Sequence, residues 1–543
     1  MIAAATLTPL SASAVAFSLA LLGALCLVPL VRWASRRLGI VDRPDPERKL
    51  HGRETALCGG LAVFLASVAA FLATIHWGGG IHWGGGEHFS TISELPGRWS
   101  VLFGAAAAML LVGLVDDALT LRGRQKLLAQ IAILCCVIGG GTLIQTVHLF
   151  GVSLELGVFA YPVTMLWLLG AVNALNLIDG ADGMATTAGM IICSGLAVLG
   201  WQAGTGAEGI AAIAMAGALL GFLNYNRPPA SIFLGDAGSM LIGLTVGVLA
   251  IWSSSSGSTV LAAAPVAVLA IPLFDSAIAL LRRWLTGRSI YATDRAHLHH
   301  LLMLRFGPRR MLLVVAVLCL ATTAAGVLSV VLAQHWIAVV GAAAVLGVLV
   351  GTRLFGYAEL SLLVRRAVNF SESLLTPAVR CDQRMQSRTV QLQGSRQWRQ
   401  VWETLVEFAQ HQGLSQVKLD LNISWMHEGF HGVWSSVRMP EKIEQMSLRI
   451  PLLAFDPKLD QDRIVGRCDV IARGSDPAVY ETLERLAEVL ADLRPQLSEL
   501  VVAATAPSPP AERATTERAT TERATDRRYS PAAVGDDLAA ATR

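Results

Sequence analysis

Charged side chains are scarce in this sequence. Asp, Glu, Lys and Arg make up 15% of its 543 residues, whereas 53% are apolar. An ordinary soluble domain carries about 25% charged residues, so the composition excludes that class and indicates a polytopic membrane protein whose main partner is the bilayer. The formal net charge is only +3, which is too small to indicate a nucleic-acid partner, and we expect none.

Cysteine is also sparse. The chain has eight cysteines, none spaced as Cys-x-x-Cys, and five of the eight lie inside strongly apolar runs. A disulfide framework or a cysteine-bound structural zinc site needs paired cysteines, so neither is indicated. The cysteines within the apolar runs are interpreted as packing residues: Cys26, Cys135, Cys136, Cys193 and Cys319.

Long apolar runs, by contrast, are frequent. A helix of about 20 mostly apolar residues crosses the hydrocarbon core of a bilayer. We expect an all-α membrane domain at 1–356 with about eleven transmembrane helices. The predicted spans are 13–33, 57–76, 100–115, 127–145, 160–178, 184–202, 208–224, 237–252, 259–281, 311–333 and 336–354.

Lysine and arginine collect in alternate loops between these runs. The basic loops lie at 36–53, 122–126, 227 and 282–310, whereas the opposite set contributes essentially Arg98 alone. Short cytoplasmic loops carry the positive excess. We therefore predict that the basic loops are cytoplasmic, that the N-terminus lies outside and that everything after residue 355 lies inside the cell.

The composition changes after residue 356. We predict a linker at 357–387 and a cytosolic α/β domain of unknown role at 388–501. In the domain, alternating apolar residues in four segments favour strands, and two other segments have helical periodicity. Two glycines within 425–432 predict a loop there. Residues 505–526 repeat Glu-Arg-Ala-Thr-Thr and contain almost no large apolar residue, so a disordered tail is expected at 502–543.

Two aspartates end the third apolar run. A lone pair such as Asp116 and Asp117 is more often a solvated helix end, but adjacent carboxylates also favour a divalent cation, which removes their mutual repulsion. Ionisable groups at membrane depth are costly and indicate a functional site when several of them converge. Asp275 lies inside the ninth apolar run, so it is also an ionisable group at membrane depth.

A second polar cluster steps by three residues along the chain. This spacing makes successive members neighbours at a helix end. Helix capping explains one residue of this kind but not four, so a binding role is favoured. The cluster consists of Asn173, Asn176, Asp179 and Asp182.

Two further clusters follow. Asp236 stands in Gly-Asp-Ala-Gly-Ser just before the eighth run, where a carboxylate at a helix N-terminus suits a metal-bound phosphate, and it is the preferred magnesium ligand. A role as a helix N-cap is compatible with that one. His297, His299 and His300 follow Arg295 in a basic loop and are predicted to meet phosphate oxygens. Zinc is a minority alternative, because no fourth soft ligand is nearby.

Together these patterns resemble a known family. The Asp-Asp pair, Asn-x-x-Asn-Leu-Ile-Asp-Gly-x-Asp-Gly, Pro-Ala followed by Gly-Asp-x-Gly-Ser, and His-x-His-His occur in the order found in the polyprenyl-phosphate N-acetylhexosamine-1-phosphate transferases of glycosyltransferase family 4. The resemblance covers about residues 30–310. It implies that N-acetylglucosamine 1-phosphate passes from its UDP derivative to undecaprenyl or another polyprenyl phosphate with release of UMP.

The resemblance also assigns residues and surroundings. It implies Mg²⁺ as cofactor, with Mn²⁺ as a substitute, and a bacterial inner-membrane enzyme that starts cell-envelope polysaccharide synthesis and is compatible with a homodimer. The implied metal ligands are Asp236 and Asp117, and the implied catalytic residues are Asp116, Asp117 and His297. Substrate contacts are predicted for Asn176, Asp179, Asp182, Asn226, Lys126, Arg295, His299 and His300.

Several alternatives stay open at this point. The donor can be another UDP-N-acetylhexosamine or a muramyl-peptide derivative, although the short histidine pattern resembles the N-acetylglucosamine subgroup. The reaction can proceed by direct attack or through a covalent aspartyl intermediate. A polytopic transporter is the rival class, but transporters place charged groups near the bilayer midplane and often contain inverted repeats, and neither feature is evident.

Overall fold

The computed structural model describes residues 9–42, 54–77, 97–149, 152–254, 260–286, 296–375, 386–393, 398–423, 428–436, 439–441, 443–456, 461–474 and 477–505. The chain divides into two compact units. The first comprises Met1–Gln383, Thr389–Arg396 and His427–His431, and the second comprises Arg384–Arg388, Gln397–Met426 and Gly432–Arg543.

The first unit is mostly helical. Its described helices are α1 (Pro9–Arg37), α2 (Gly59–Trp77), α3 (Gly97–Leu119), α4 (Gly123–Gly139), α5 (Ala160–Ile178), α6 (Met184–Gln202), α7 (Gly206–Asn226), α8 (Gly235–Trp252), α9 (Ala263–Val268), α10 (Ala270–Thr286), α11 (Leu298–Phe306), α12 (Pro308–Val331), α13 (Trp336–Gly351) and α14 (Tyr357–Leu375). The last of these occupies most of the predicted linker.

Eight helices in the described part of the chain are long and apolar enough to cross a membrane, namely α1, α2, α3, α5, α6, α7, α8 and α12. The protein is thus a multi-pass membrane protein, as the composition predicts. The other three predicted spans fall on shorter helices: 127–145 on α4, 259–281 on α9 and α10, and 336–354 on α13. The count of eleven spans stays a prediction, as does their orientation.

The predicted span at 259–281 is interrupted. Helix α9 ends at Val268 and α10 begins at Ala270. Pro272 accounts for the break, because proline has no N–H to donate and its ring clashes with the carbonyl four residues earlier, here that of Val268. An apolar run of sufficient length therefore does not form one continuous helix.

The prediction of an all-α membrane domain is incomplete, because the structure also contains short strands. They are β1 (Val41–Asp42), β2 (Thr55–Ala56), β3 (Thr146–Leu149), β4 (Val152–Glu155) and β5 (Val260–Ala262). Strands β1 and β2 pair antiparallel, and β3 lies between β4 and β5 in a three-stranded sheet. β-Branched residues within β3 and β4 favour this local structure.

Helix α8 lies at the centre of the bundle. It is apolar on all sides, and nearly all of it is buried, as is expected of a helix surrounded by other helices. Glycines bring two neighbours close to its first turn. A Cβ atom at Gly60 of α2 or at Gly113 of α3 would overlap the α8 backbone at Gly238 or Ala237. The close approach of α3 delivers the residues one turn after Gly113 to the α8 N-terminus.

The C-terminal region carries a five-stranded sheet and two helices. The strands are β6 (Gln386–Gln393), β7 (Gln416–Ile423), β8 (Glu428–Ser435), β9 (Gln445–Asp456) and β10 (Gln461–Arg473), and the helices are α15 (Arg399–His411) and α16 (Val479–Thr505). The strand order is β6-β8-β7-β10-β9, and β10 is antiparallel to both neighbours. Most of the predicted tail, 506–543, lies outside the described residues.

The loop predicted within 425–432 is wrong from residue 428 onward, because β8 begins there. Gly432 is explained by packing rather than by a turn. A Cβ atom at Gly432 would lie 2.8 Å from ring atoms of the buried Trp402. The glycine therefore makes room for the tryptophan within a regular strand.

Candidate active site

Lys126 lies at the centre of a cluster of polar side chains at one end of the bundle. Its Nζ pairs with Asp116 Oδ2 at 3.0 Å and with the carboxylate of Asp236, and it donates to Asn176 Oδ1 at 3.1 Å. These groups come from the start of α4, the end of α3, the start of α8 and the end of α5. Successive helices run in opposite directions, so these four termini meet at a single lysine.

The electrostatic balance around Lys126 favours its charged form. Burial alone lowers the pKa of this ammonium group, but the charges of Asp236 and Asp116 and the hydrogen bonds to them outweigh burial and raise the pKa above its usual value. The lysine side chain is 15% exposed and that of Asp236 is 35% exposed. The cluster is therefore partly open and its cation stays protonated at neutral pH.

Asp117 holds the first turn of α8. Its Oδ1 accepts the backbone N–H of Asp236 at 3.0 Å, and its Oδ2 accepts that of Ala237 at 3.5 Å. The first N–H groups of a helix have no intrahelical partner, and a carboxylate there is favoured by the helix dipole. Gly235 has φ +75°, and a Cβ atom on it would overlap the Asp117 carboxylate, so only glycine permits this contact.

Asn176 links the lysine to α8. While its Oδ1 accepts from Lys126, its Nδ2 donates to Asp236 Oδ1 at 2.8 Å and to Ser239 Oγ at 3.0 Å. One turn earlier, Asn173 Nδ2 donates to Gln130 Oε1 at 3.0 Å. The step of three residues therefore lets both asparagines bind side chains of neighbouring helices, and Asn176 fixes the orientation of the Asp236 carboxylate.

Asp179 is the first residue after α5 and is half-buried. Burial raises the pKa of its carboxyl well above the usual range, and the nearby charges of Asp236, Asp117 and Asp182 raise it further. A concentration of acidic groups that disfavours one more negative charge is a place where a cation is stabilised.

Asp182 and Asn226 bind the backbone of neighbouring loops. Asp182 Oδ2 accepts the N–H of Ala230 at 2.9 Å. Asn226 is buried, its Oδ1 accepts from Gly183 N at 3.1 Å and from Thr186 Oγ1 at 2.7 Å, and its amide donates to a carbonyl of its own loop at 3.0 Å. These contacts fix the two turns that flank the cluster.

A buried aspartate holds the segment that carries His297, His299 and His300, which is called the histidine segment below. Asp275 of α10 accepts the backbone N–H of Leu298 at 2.8 Å with one oxygen and lies 3.0 Å from His297 Nδ1 with the other. When Nδ1 carries the ring proton it donates to Asp275, which leaves the lone pair of Nε2 for a substrate. Both side chains are almost fully buried, so the ring orientation is fixed.

His299 packs on the turn after α5. Its ring lies parallel to that of His297 at 5.8 Å and 4.1 Å from that of His300. A Cβ atom at Gly180 would overlap the His299 ring, so this glycine brings the asparagine cluster and the histidine segment together. Burial, with a smaller contribution from the neighbouring histidines, lowers the pKa of His299 to about 3, so the ring is neutral at physiological pH.

Comparison with known proteins identifies the family. Residues 99–254 match the pattern of glycosyl transferase family 4. A "Probable undecaprenyl-phosphate N-acetylglucosaminyl 1-phosphate transferase" of Bacillus subtilis (strain 168) is 33% identical over 292 residues, covering 53% of this chain and 76% of that protein. The chain belongs to glycosyl transferase family 4.

Two other relatives in the family have related names. The "Decaprenyl-phosphate N-acetylglucosaminephosphotransferase" of Mycobacterium tuberculosis (strain ATCC 25618 / H37Rv) is 31% identical over 316 residues, covering 52% of this chain and 74% of that protein. The "Undecaprenyl-phosphate alpha-N-acetylglucosaminyl 1-phosphate transferase" of Escherichia coli (strain K12) is 28% identical over 284 residues, covering 50% of this chain and 71% of that protein. The predicted family resemblance is confirmed.

In the structure, the predicted site residues that are described lie in three groups. Asp116, Asp117, Lys126, Asn176 and Asp236 form one connected cluster. His297, His299 and His300 form a second group, which touches the first region through Gly180. Asn226 and Asp182 bind loop backbone, so their predicted substrate contacts stay predictions, and Arg295 lies outside the described residues.

Two residues with clear positions in this site had no role predicted for them. Asp275 is a carboxylate inside an apolar run, which is a sequence signal for a functional or paired group but does not identify His297 as its partner. Ser239, one turn after Gly235, accepts from Asn176 and donates to the carbonyl of Gly235 at 3.1 Å. Its position at the end of the Gly-Asp-x-Gly-Ser pattern is the sequence signal that could have marked it.

The donor chemistry of the cluster fits a magnesium ion. Among the described residues no group of three or more His, Cys, Asp or Glu side chains forms a ready-made metal cage. Mg²⁺, however, is usually bound through one or two carboxylates, with substrate phosphates and water supplying the remaining oxygens. Asp236 and Asp117 are adjacent oxygen donors of this kind, and Asp236 is accessible enough to take part.

Proposed function

We propose that this chain transfers N-acetylglucosamine 1-phosphate from UDP-N-acetylglucosamine to undecaprenyl or another polyprenyl phosphate, releasing UMP. The lipid-linked sugar pyrophosphate would start a cell-envelope polysaccharide. The observation that carries this proposal is the joining of four helix ends by Lys126, Asp116, Asp236 and Asn176. The names of the family 4 relatives support the donor and the acceptor.

The residues of the cluster can hold two phosphate groups at one place. Lys126 supplies a cation that its carboxylate neighbours keep charged, and its Nζ can exchange a carboxylate oxygen for a phosphate oxygen. Asn176 fixes the carboxylate of Asp236, and Asp117 fixes its backbone. Phosphoryl transfer depends mainly on positioning and charge stabilisation, and this set of contacts supplies both.

Asp236 and Asp117 would hold the magnesium ion, for which manganese could substitute. Bound there, the ion would offset the negative charge of the donor pyrophosphate and of the leaving UMP. Asp117 already accepts two N–H groups from α8, so its part is to place the α8 terminus, while Asp236, whose side chain is 35% exposed, would present an oxygen to the ion.

Proton transfer contributes little to this reaction. A phosphate monoester loses its second proton near pH ~6, so most of the lipid phosphate is dianionic at neutral pH. Asp116 accepts the N–H of Leu121 at 2.7 Å and also pairs with Lys126 at 3.0 Å. These contacts suit a positioning role and favour direct attack by the lipid phosphate over a covalent aspartyl intermediate.

The histidine segment would bind the donor. Asp275 orients His297 so that Nε2 can accept from or donate to a phosphate or sugar group, and His299 is neutral, so it would act as a hydrogen-bonding group rather than as a charge. Arg295, by the family pattern, would supply the positive charge at this place.

The proposal includes a topology. Eleven spans with the N-terminus outside place the cluster, the histidine segment and the C-terminal region on the cytoplasmic side of a bacterial inner membrane, where UDP-sugars are made. The positive charge of the loops next to the cluster supports this orientation. The cytoplasmic phosphate of the lipid carrier would then meet the cluster at the membrane surface.

The direct test follows radiolabel from UDP-N-acetylglucosamine into the lipid phase, using the purified full chain with undecaprenyl phosphate and Mg²⁺. We expect label that requires Mg²⁺ and is lost in Asp236→Asn. Asp492→Asn, the same change at an exposed position of α16, is the matched control and should keep full activity.

Each other outcome has a distinct meaning. Label from another UDP-N-acetylhexosamine alone would replace the donor and keep the reaction. Labelled lipid without Mg²⁺ or Mn²⁺ would overturn the metal assignment. No labelled lipid from any UDP-sugar or muramyl-peptide donor, in protein with an unchanged thermal unfolding midpoint, would overturn the proposed transferase activity and favour the transporter alternative.

A further inference from the structure

One face of α10 holds the histidine segment at two points. Asp275 binds His297 and Leu298, as described above. Two turns later Arg282 Nη2 donates to the carbonyl of Ala296 at 3.0 Å. Residues seven apart lie on the same face of a helix, so Asp275 and Arg282 fix the segment on both sides of His297.

Arg282 is in turn held by a residue of α14. Glu359 in the first turn of α14 forms an ion pair with Arg282 through Nε, and the two side chains are 3% and 2% exposed. Thr286 Oγ1 donates to the Arg282 carbonyl at 2.9 Å. The guanidinium therefore lies between an α14 carboxylate and the backbone immediately before His297.

Such a pair is not explained by stability alone. Burying two charges removes them from water, and the cost of this desolvation often equals or exceeds their mutual attraction. A buried guanidinium is nevertheless well suited to fixing geometry, because its planar donors bind two acceptors in a defined relative direction. Here the two acceptors are the Glu359 carboxylate and the Ala296 carbonyl.

We propose that Glu359 is a positioning residue for the transferase reaction, acting through Arg282 on the backbone of the histidine segment. Without the Glu359 carboxylate the guanidinium would lose its fixed orientation and its bond to Ala296. His297 would then be held by Asp275 alone. The inference rests on the proposed function for its effect on turnover, but the link itself is structural and can be measured separately.

The test compares Glu359→Ala, Glu359→Gln and Glu359→Asp in the full chain, with Ser361→Ala as control. Among the described residues, the Ser361 side chain bonds locally, to the Ala358 carbonyl at 2.7 Å. We expect kcat to fall about 10-fold in the Ala and Gln variants, as is typical when a residue that orients a catalytic histidine is removed. KM for the UDP-sugar should change less than kcat, Asp should restore part of the rate, and Ser361→Ala should match the wild type.

Hydrogen–deuterium exchange provides a second readout that needs no enzyme activity. In Glu359→Ala and Glu359→Gln, peptides that cover 296–306 should exchange faster, because the N–H of Leu298 depends on the segment's position against Asp275. Peptides from α6 to α8 should be unchanged. If the wild type has no transferase activity, the proposed function fails, and the exchange data still decide whether the positioning link exists.

Two results would overturn the inference. Unchanged kcat and unchanged exchange at 296–306 would show that Glu359 does not act on the histidine segment. Faster exchange spread over all membrane helices, with a lowered unfolding midpoint and no rescue by Asp, would assign Glu359 a merely structural role.

Discussion

The two ends of the helix bundle both contain ion pairs, but cations and anions are equal in number at only one of them. At the C-terminal end of α8, Arg98 pairs with the fully buried Glu208 at 2.7 Å and its guanidinium lies 4.8 Å from the centre of the Trp252 ring. At the N-terminal end of α8, Lys126 pairs with both Asp116 and Asp236. The first pair is one cation for one anion. The second is one cation shared by two anions.

This difference in charge balance distinguishes a structural ion pair from the candidate active site. Glu208 neutralises the charge of Arg98, the Trp252 ring lies beside the guanidinium, and the rings of Phe71, Trp99 and Trp252 pack together at that end. At the other end Asp117 is a further acidic side chain, the raised pKa of Asp179 reflects its burial and the nearby acidic groups, and Asp236 stays partly exposed. In the proposed function, this acidic cluster, which water can reach, would bind a cation and the phosphates that accompany it.

The largest expected effect comes from removing the shared cation. In Lys126→Met the carboxylates of Asp116 and Asp236 lose their common partner and repel each other. We expect transferase activity to fall about 1000-fold, equivalent to about 4 kcal/mol in the activation barrier. The measurement is the initial rate of labelled lipid formation. Arg124→Met, which removes an exposed cation from the same helix, should have less than a tenth of that effect, and equal losses would contradict the central role of Lys126.

The opposite end should respond in stability instead. Arg98→Met leaves Glu208 buried without its cation, and loss of one partner from a buried pair destabilises a protein by about 3 kcal/mol. We expect a lower midpoint of thermal unfolding in detergent, with activity at low temperature close to that of the wild type. The double variant Arg98→Met, Glu208→Met should recover much of the midpoint. Loss of activity without loss of stability would erase the distinction between the two ends.

Much of the first unit could be predicted from its sequence, because apolar length and polar residues at helix ends are local signals. Asp116, Asn176 and Asp236 were identified in this way, and the structure brings them to Lys126. The ends of helices were harder to predict. Pro272 divides an apolar run that looks continuous. The end of α4, a helix of 17 residues, depends on packing against neighbouring helices rather than on the length of the apolar run alone.

Partnerships between distant residues could not be predicted. Nothing in the sequence pairs Asp275 with His297 or Arg282 with Glu359, since these contacts depend on how α10 packs against α11 and α14. The strand β8 was missed for a related reason. Gly432 weakens a strand in isolation, and only the position of the Trp402 ring explains why glycine is required there.

A smaller effect is expected where the two groups of site residues meet. In Gly180→Ala the added methyl group would overlap the His299 ring and push the histidine segment away from the turn after α5. Displacement of a binding group by about 1 Å can lower activity about 10- to 100-fold, and we expect a loss near the lower value. Gly170→Ala is the matched control, because a Cβ atom at Gly170 of α5 meets nothing within 4 Å. Comparable rates for the two variants would show that the contact with His299 does not matter.

The smallest effect is a dependence of stability on pH. The folded state holds the pKa of His299 near 3 by burial and by the nearby His300 and His297, against the opposing charge of Asp275. Below its ordinary value of 6.5 the unfolded chain binds a proton at this histidine that the folded chain does not. The contribution of His299 to stability is therefore complete above pH 6.5 and is lost as the pH falls towards 3, by at most about 1.4 kcal/mol per pH unit.

Asp179 acts in the opposite direction, because its raised pKa lets the folded state take up a proton as the pH falls. Comparing wild type with His299→Gln separates the two: between pH 7.5 and 5 the unfolding midpoint of the wild type should fall further than that of the variant. Equal slopes would mean that His299 is protonated in the folded protein, and the histidine segment would then offer a positive charge to the donor phosphates instead of a neutral ring.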